Sequence, residues 1–186
     1  TAREDGTNVF APGNKWGFFP GVALAWRISE EKFMQVTNSW LSNTKLRLSY
    51  GLVGNARVGS YWRQNYSFDS KSSNLYYPGE SSIGAMKPDK TLRNEKLTWE
   101  TKYSFNTGLD FSLFNDRLNV ILDYYNDKTK DLILAVQIPQ TSGYEQQYQN
   151  LGQTTNKGVE LTLNANVINT KDFSLGVNFN IAFNKN

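Results

Sequence analysis

The sequence contains no cysteine and no histidine among its 186 residues. The absence of cysteine excludes a disulfide framework and thiol chemistry. The absence of histidine removes the commonest general base and the commonest metal ligand. No run of about 18 apolar residues is present, so a transmembrane helix is not expected. The net charge is only +3 and the basic residues are scattered, which leaves no electrostatic footprint for nucleic-acid binding.

Aromatic residues are abundant, at 14%, and they recur in segments that alternate between apolar and polar side chains. In LTWETKYSFNTGLDFSLF, residues 97–114, the aromatic and aliphatic side chains up to Leu113 take odd positions and the charged and amide side chains take even ones. Five further segments show the same period of two: FFPGVALAWRI, TKLRLSYGL, LNVILDYYND, GVELTLNANVI and FSLGVNFNIAF. Repeated alternation of this kind predicts an all-β protein.

The connections between these segments fall into two classes. Tight turns are expected at Phe114–Arg117 and Asn169–Asp172, where asparagine and aspartate favour turn geometry. The link Ser29–Asn43 is somewhat longer, and residues 53–96 and 132–150 form long loops rich in Gly, Ser, Asn, Gln and Tyr. Strand direction places the two turns and the Ser29–Asn43 link at one end and both long loops at the other. Unequal ends of this kind are typical of an outer-membrane β-barrel.

Alternating strands also occur in soluble β-sandwiches and small soluble barrels, which hide the apolar face inside. Neither needs strands as long as residues 97–114, because a soluble strand averages about 5–6 residues. A membrane barrel instead turns its apolar face to lipid, which is the interpretation we favour. It predicts that the following residues face lipid: Phe105, Leu109, Phe111, Leu122, Leu163, Val177 and Phe179. It predicts that these residues face the lumen: Asn106, Asp110, Asp123, Thr162 and Asn178.

Four segments follow one another in an order that resembles a known family: GNKWGFFPGVALAWRISEEKF, LSNTKLRLSYGLVGN, NEKLTWETKYSFNTGLDFSLFNDRLNVILDYYNDKTKDLIL and NLGQTTNKGVELTLNANVINTKDFSLGVNFNIAFNKN. Together they resemble the C-terminal half of the barrel of SusC/RagA-type TonB-dependent outer-membrane transporters of Bacteroidetes. The resemblance implies an antiparallel transmembrane β-barrel of about 22 strands that is plugged by an N-terminal domain. Residues 1–186 are then expected to supply about six strands of one barrel domain, with the plug and the first strands outside a sequence that begins TARED.

The resemblance also implies a function. Members of this family import oligosaccharides or peptides across the Gram-negative outer membrane, and a SusD-like surface lipoprotein covers the barrel mouth. The TonB complex would act through the missing N-terminal part, and outer-membrane lipid would surround the wall. An alternative of a different class is a secreted or surface β-protein with a structural or adhesive role and no transport. Catalysis, a cofactor and a nucleic-acid partner are not expected.

Two groups of carboxylates could suggest a metal site or a catalytic site, and each also has a purely structural interpretation. Asp123, Asp127 and Asp131 recur every four residues and could suggest calcium ligands, but a polar lumen face and rim is the favoured interpretation. Glu30 and Glu31 could pass for a catalytic pair, although their position after Ser29 favours charges at the start of a helical turn that Ser29 caps. We therefore predict no metal site and no catalytic residue.

The long loops carry the candidate binding residues. Tyrosine and tryptophan combine a flat apolar body with a polar tip, which suits stacking on sugar rings or packing against a protein lid. Substrate or partner binding is therefore predicted, in extracellular loops, for Tyr61, Trp62, Arg63, Tyr66, Tyr76, Tyr77, Tyr144 and Tyr148. The alternative is that these aromatic residues pack the loops onto one another. The short turns, with Asn115, Asp116 and Lys171, are predicted to be periplasmic.

Overall fold

The chain folds almost entirely into β-strands. The computed structural model describes residues 1–37, 39–58, 66–68, 86–88 and 90–186. Its strands are β1 (Ala2–Gly6), β2 (Trp16–Arg27), β3 (Leu41–Asn55), β4 (Tyr66–Phe68), β5 (Met86–Pro88), β6 (Thr91–Leu92), β7 (Glu100–Leu113), β8 (Leu118–Lys130), β9 (Ile133–Gln137), β10 (Gln146–Asn150), β11 (Gln153–Asn169) and β12 (Ser174–Lys185). In the described ranges, no helix is long and apolar enough to cross a membrane.

The main sheet has seven strands in the order β1-β2-β3-β7-β8-β11-β12, and every neighbouring pair is antiparallel. The six segments that alternate in the sequence form β2, β3, β7, β8, β11 and β12, which confirms the all-β, antiparallel prediction. The first strand was not predicted, because AREDG carries no apolar alternation. It pairs with β2 from Ala2 opposite Pro20 to Gly6 opposite Trp16.

The register extends the alternation of single strands into continuous rows across the sheet. Directly opposed residues of an antiparallel pair share a face. One face carries the row Trp26, Leu46, Leu109, Leu122, Leu161 and Ile181. The other face carries the row Ala25, Arg47, Gly108, Asp123, Glu160 and Ala182. The residues predicted to face lipid and those predicted to face the lumen therefore lie on opposite faces of one sheet.

The apolar face is open in the described part of the chain. Leu24 and Phe183 are each 67% exposed, Phe179 is 50% exposed and Leu122 is 41% exposed. A soluble sandwich would cover such a face with a second sheet. In the described ranges, no second protein layer covers these apolar side chains.

The turn end follows the sequence prediction with one correction. Phe114–Arg117 joins β7 to β8, with Asn115 and Asp116 in the left-handed region, which both residue types tolerate. The link between β2 and β3 contains helical turns as expected, in the form of the 3₁₀ helices Ile28–Glu30 and Lys32–Thr37. Ser29 does not cap either one: it lies within the first helix, and its hydroxyl donates to Asn43 Oδ1 at 3.3 Å. Tertiary contact to β3 thus outweighs local capping.

The described parts of the two long connections contain further strands that the sequence did not predict. Strand β3 continues to Asn55, β4 pairs with β5, and β6, β10 and β9 form a three-stranded sheet in that order. The most deeply buried side chains also include residues of this end: Phe10 is 1% exposed and Leu97 is 0% exposed. The described residues at the loop end therefore include a small apolar core.

Candidate functional site

An arginine joins three strands on the polar face. Arg47 of β3 donates from Nη2 to Asp110 Oδ1 of β7 at 2.6 Å and from Nε to Asp110 Oδ2 at 2.9 Å. The same Nη2 atom lies 2.8 Å from Asp123 Oδ1 of β8. Two carboxylates against one guanidinium leave a net negative charge at this point of the wall. Arginine suits the position because its planar fork binds a carboxylate through two parallel bonds.

Glycine at position 108 makes this arrangement possible. Gly108 lies in β7 directly between Arg47 and Asp123 in the row across the sheet. A Cβ atom there would clash with Asp123 Oδ1 and with Arg47 Nη2. The missing side chain is therefore the gap through which Arg47 reaches over one strand to the next.

The polar face continues above this cluster. Lys102 pairs with Asp127 at 2.5 Å, and Tyr125 donates its hydroxyl to Asn184 Oδ1 at 2.5 Å. A shallow depression of about 270 Å³ lies on this face, lined by Ala23, Ala25, Arg47, Ser49, Asn106 and Asp123 together with Leu24, Leu48 and Gly108. Small side chains on β2 therefore lie beside ion pairs on β3, β7 and β8 on this face.

The three aspartates spaced by four residues do not converge. Asp123 binds Arg47, Asp127 binds Lys102, and Asp131 follows the end of β8. Four residues along a strand span about 13 Å, which is too far for consecutive members to share one ion. Among the described residues, no group of three or more acidic side chains is placed to hold a metal. The two aspartates in β8 instead form the expected polar face.

The loop after β8 is a continuation of the wall. Gln153 pairs with Lys130 in β11 and β8, and Asn150 pairs with Ile133 in β10 and β9, so both ladders have the same register. Asp131 and Gly152 lie opposite each other between the ladders, with φ of 56° and 79°. The β8–β11 pairing therefore continues in register into the β9–β10 pairing, and both strands change direction at the same position, Asp131 and Gly152.

Side chains fasten this hairpin to the neighbouring strands. Asn150 Nδ2 donates to the backbone oxygens of Thr98 and Asp131, each at 2.9 Å, and its Oδ1 accepts from Thr98 N at 2.9 Å. Glu100 of β7 accepts from Ile133 N at 3.2 Å. An asparagine that binds both backbone groups of one residue imitates a strand partner. The base of the hairpin is thus fixed to the start of β7.

A small aromatic core lies beside it. Trp99 contacts the rings of Phe10 and Phe19 edge to face, with centroids 5.7 Å and 5.4 Å apart. Phe19 is 6% exposed, whereas Phe18 is 63% exposed. Asn14 closes the cluster by donating Nδ2 to the Leu97 oxygen at 3.3 Å. These contacts hold the 8–14 loop against the segment before β7.

The structure describes only part of the predicted binding set. Tyr144 is half-buried after the turn at Gly143, and Tyr148 is half-buried in β10. Tyr66 begins β4. The other five lie outside the described residues: Tyr61, Trp62, Arg63, Tyr76 and Tyr77. Sequence reasoning missed Arg47, Gly108 and Asn150, because their roles depend on register between strands.

A sheet with one exposed apolar face and one ion-paired polar face has the construction of a membrane β-barrel wall. A family model described as "TonB dependent receptor-like, beta-barrel" matches residues 1–186. The chain belongs to that family.

Relatives and solved structures agree with this assignment. The chain is 37% identical over 188 aligned residues to TonB-dependent receptor P3 of Formosa agariphila, and 37% identical to TonB-dependent receptor SusC of Bacteroides thetaiotaomicron. Each alignment covers 100% of this chain and 18% of the relative. The structure of the RagAB peptide transporter matches with a TM-score of 0.81 at 31% identity, over 98% of this chain and 19% of that one. The chain thus spans less than a fifth of the length of these proteins.

Proposed function

We propose that this chain forms part of the wall and outer loops of an outer-membrane nutrient importer in a bacterium of the Bacteroidetes type. The observation that carries the proposal is the apolar face, which stays open across six consecutive strands from β2 to β12. Lipid is the environment in which such a face is stable, and the opposite, ion-paired face then lines a wet lumen. Family membership supports this function over the adhesive alternative.

We further propose that residues 1–186 belong to one larger barrel domain. In the described sheet β1 and β12 each pair on one side only. Open edges leave backbone groups without partners, which hydrocarbon does not tolerate. Additional strands of the same barrel would pair with these edges, and a plug domain would fill the lumen. The length of the relatives leaves room for both.

The substrate class that we propose is oligosaccharide or peptide. The substrate would be received from a SusD-like surface lipoprotein, and the TonB complex would drive its import. The RagAB neighbour is a peptide transporter by name, and SusC is a TonB-dependent receptor by name. The folded hairpin of β9 and β10 lies at the end where such a lipoprotein would sit. We assign the chain no catalytic role, in keeping with relatives that are named receptors and transporters.

The test is uptake by cells that produce the full-length protein. Fluorescent pools of mixed peptides and of mixed oligosaccharides are supplied to the parent strain, to a strain lacking the gene, and to a strain lacking TonB. The proposal expects accumulation of at least one pool that needs both the gene and TonB, and a surface lipoprotein that copurifies with the barrel. A protein that fractionates outside the outer membrane, or uptake unchanged by both deletions, would contradict it and favour adhesion.

A further inference from the structure

The outer edge of β9 carries backbone groups that point away from the hairpin. Leu151 N donates to Leu132 O, and Ile138 N donates to Glu145 O, at the two ends of the β9–β10 ladder. Bonded and non-bonded pairs alternate along an antiparallel ladder. By the same alternation, Leu134 and Val136 bond to β10, between the bonds of Leu132 and Ile138 to the residues that flank β10. The N–H and C=O groups of Ile133, Ala135 and Gln137 face the other side.

Among the described residues, only the first of these outward groups has a hydrogen-bond partner. Ile133 N already donates to a carboxylate oxygen of Glu100. In the part of the chain that the structure describes, no other hydrogen bond reaches the outward groups of Ala135 and Gln137. Both residues are exposed. Their donors and acceptors repeat about every 7 Å along the strand, which is the spacing that a neighbouring strand would present.

Beyond Ile133, whose N–H is covered by the Glu100 carboxylate, β9 itself carries few of the features by which proteins protect such strands. Charged side chains, proline and bulges normally prevent an open edge from pairing with another chain. The sequence ILAVQ of β9 contains no charge and no proline, its pairing with β10 has no bulge, and Leu134 is 48% exposed. An unprotected edge at an outer loop is a template for strand addition.

We propose that β9 binds an imported peptide as an added strand, in the order β6-β10-β9-peptide. This inference rests on the proposed import function and assigns it a substrate class. Main-chain pairing accepts many side-chain sequences, because the hydrogen bonds come from the backbone alone. That property suits the capture of mixed peptides, and a peptide transporter is among the structures that share this fold at 31% identity. Oligosaccharides lack the alternating amide donors and acceptors that the edge would pair with.

The experiment measures binding of a fluorescein-labelled decapeptide of Ala, Ser, Thr and Gln to the full-length protein in detergent. Ala135→Pro removes an outward N–H and leaves the β9–β10 bonds in place, since the N–H of residue 135 does not face β10. The matched control is Ala135→Val, which changes the side chain and keeps the N–H. We expect binding about tenfold weaker for Ala135→Pro and unchanged for Ala135→Val. Hydrogen exchange at Leu134 and Val136 verifies that the hairpin persists.

A second arm leaves the protein unaltered and so does not depend on folding of the variant. Decapeptides methylated at alternate backbone nitrogens lose the donors that pair with the edge, and we expect them to bind about tenfold more weakly than the unmodified peptide. Equal binding of methylated and unmodified peptides would overturn the proposal. An Ala135→Pro variant that releases the lipoprotein and still binds peptide would also overturn the proposal, because the edge would then bind the lipoprotein.

Uptake of oligosaccharides alone would reject the peptide assignment and leave the proposed import function standing, whereas uptake of neither pool would reject both.

Discussion

Arg47 and Asp123 form an ion pair of 2.8 Å although a whole strand lies between them. The intervening residue of β7 is Gly108, and its missing side chain leaves the path open. Both partners remain about one-third exposed, at 37% and 36%, so water weakens the pair. Its structural effect is to link β3 to β8 over β7, independently of the backbone ladder.

The first prediction tests this link. In a double-mutant cycle with Arg47→Gln and Asp123→Asn, we expect a coupling of about 0.5–1 kcal/mol. The same cycle in a Gly108→Val background should show no coupling, since the valine side chain would separate the partners. The measurement is the urea-unfolding free energy of the full-length barrel in micelles. Persistent coupling in the Gly108→Val background would show that the arginine reaches Asp123 by another route.

The second prediction concerns the two faces. Phe179 and Asn178 are neighbours in β12 that point to opposite sides, opposite Leu163 and Asn164 of β11. Phe179→Arg should cost about 2–4 kcal/mol if the site lies near the bilayer midplane, because the charge enters hydrocarbon. Asn178→Arg is the matched control and should cost much less. Folding into vesicles, followed by urea titration, compares them, and a greater loss for Asn178→Arg would reverse the assignment of faces.

The faces could be predicted from the sequence because alternation has a period of two whatever the loops do. Once Leu109 and Phe111 are apolar and Asn106 and Asp110 are polar, the strand has only one consistent orientation. Register between strands is a different matter. Arg47 meets Gly108 and Asp123 only because β3 pairs with β7 at one particular offset, and no local pattern in either strand specifies that offset.

The loop end escaped prediction for a similar reason. A left-handed pair at Asp131 and Gly152 and a register shared by two ladders depend on residues about 20 positions apart. Alternation in residues 132–150 is weak, because glutamines occupy both faces of β10. Phe19, rather than Phe18, contacts Trp99, which is a consequence of tertiary packing with the loop before β2.

The third prediction concerns sidedness. These 186 residues contain no cysteine, so once any cysteine elsewhere in the full-length protein is replaced by serine, a single introduced thiol reports its own location. An impermeant maleimide applied to intact cells should label Tyr144→Cys in the outer hairpin and leave Asp116→Cys in the short turn unlabelled. Lys171→Cys in the other short turn should behave like Asp116→Cys, and all three should label after lysis. Labelling of Asp116→Cys in intact cells would show that the short turns lie outside the cell, which is the opposite of the predicted topology.

The fourth prediction tests how the outer hairpin is fastened. Asn150→Asp keeps the acceptor and loses the two Nδ2 donors that reach Thr98 and Asp131. We expect local stability to fall by about 1–3 kcal/mol, seen as faster hydrogen exchange in β9 and in residues 94–98. The membrane strands should be unaffected. Gln149→Glu, whose amide bonds only to Gln147 in the described structure, serves as the control, and equal effects of the two changes would contradict a specific role for Asn150.

The last prediction concerns the aromatic residues of the outer loops. Tyr144 follows Gly143 at the tip of the hairpin, in the left-handed turn that ends its 3₁₀ helix, so its ring is carried beyond the membrane strands. Replacing Tyr144 with alanine removes a flat apolar surface worth about 0.5–1.5 kcal/mol in a stacked contact. We expect a few-fold loss in lipoprotein retention or in uptake, with normal barrel assembly. Tyr144→Phe keeps the ring and should retain most of the function.

Alanine at Trp62 and at Tyr77, which lie outside the described residues, should cause the same few-fold loss as alanine at Tyr144. Wild-type retention and uptake in all three alanine variants would leave these side chains with the structural role alone, in which the aromatic rings pack the loops onto one another.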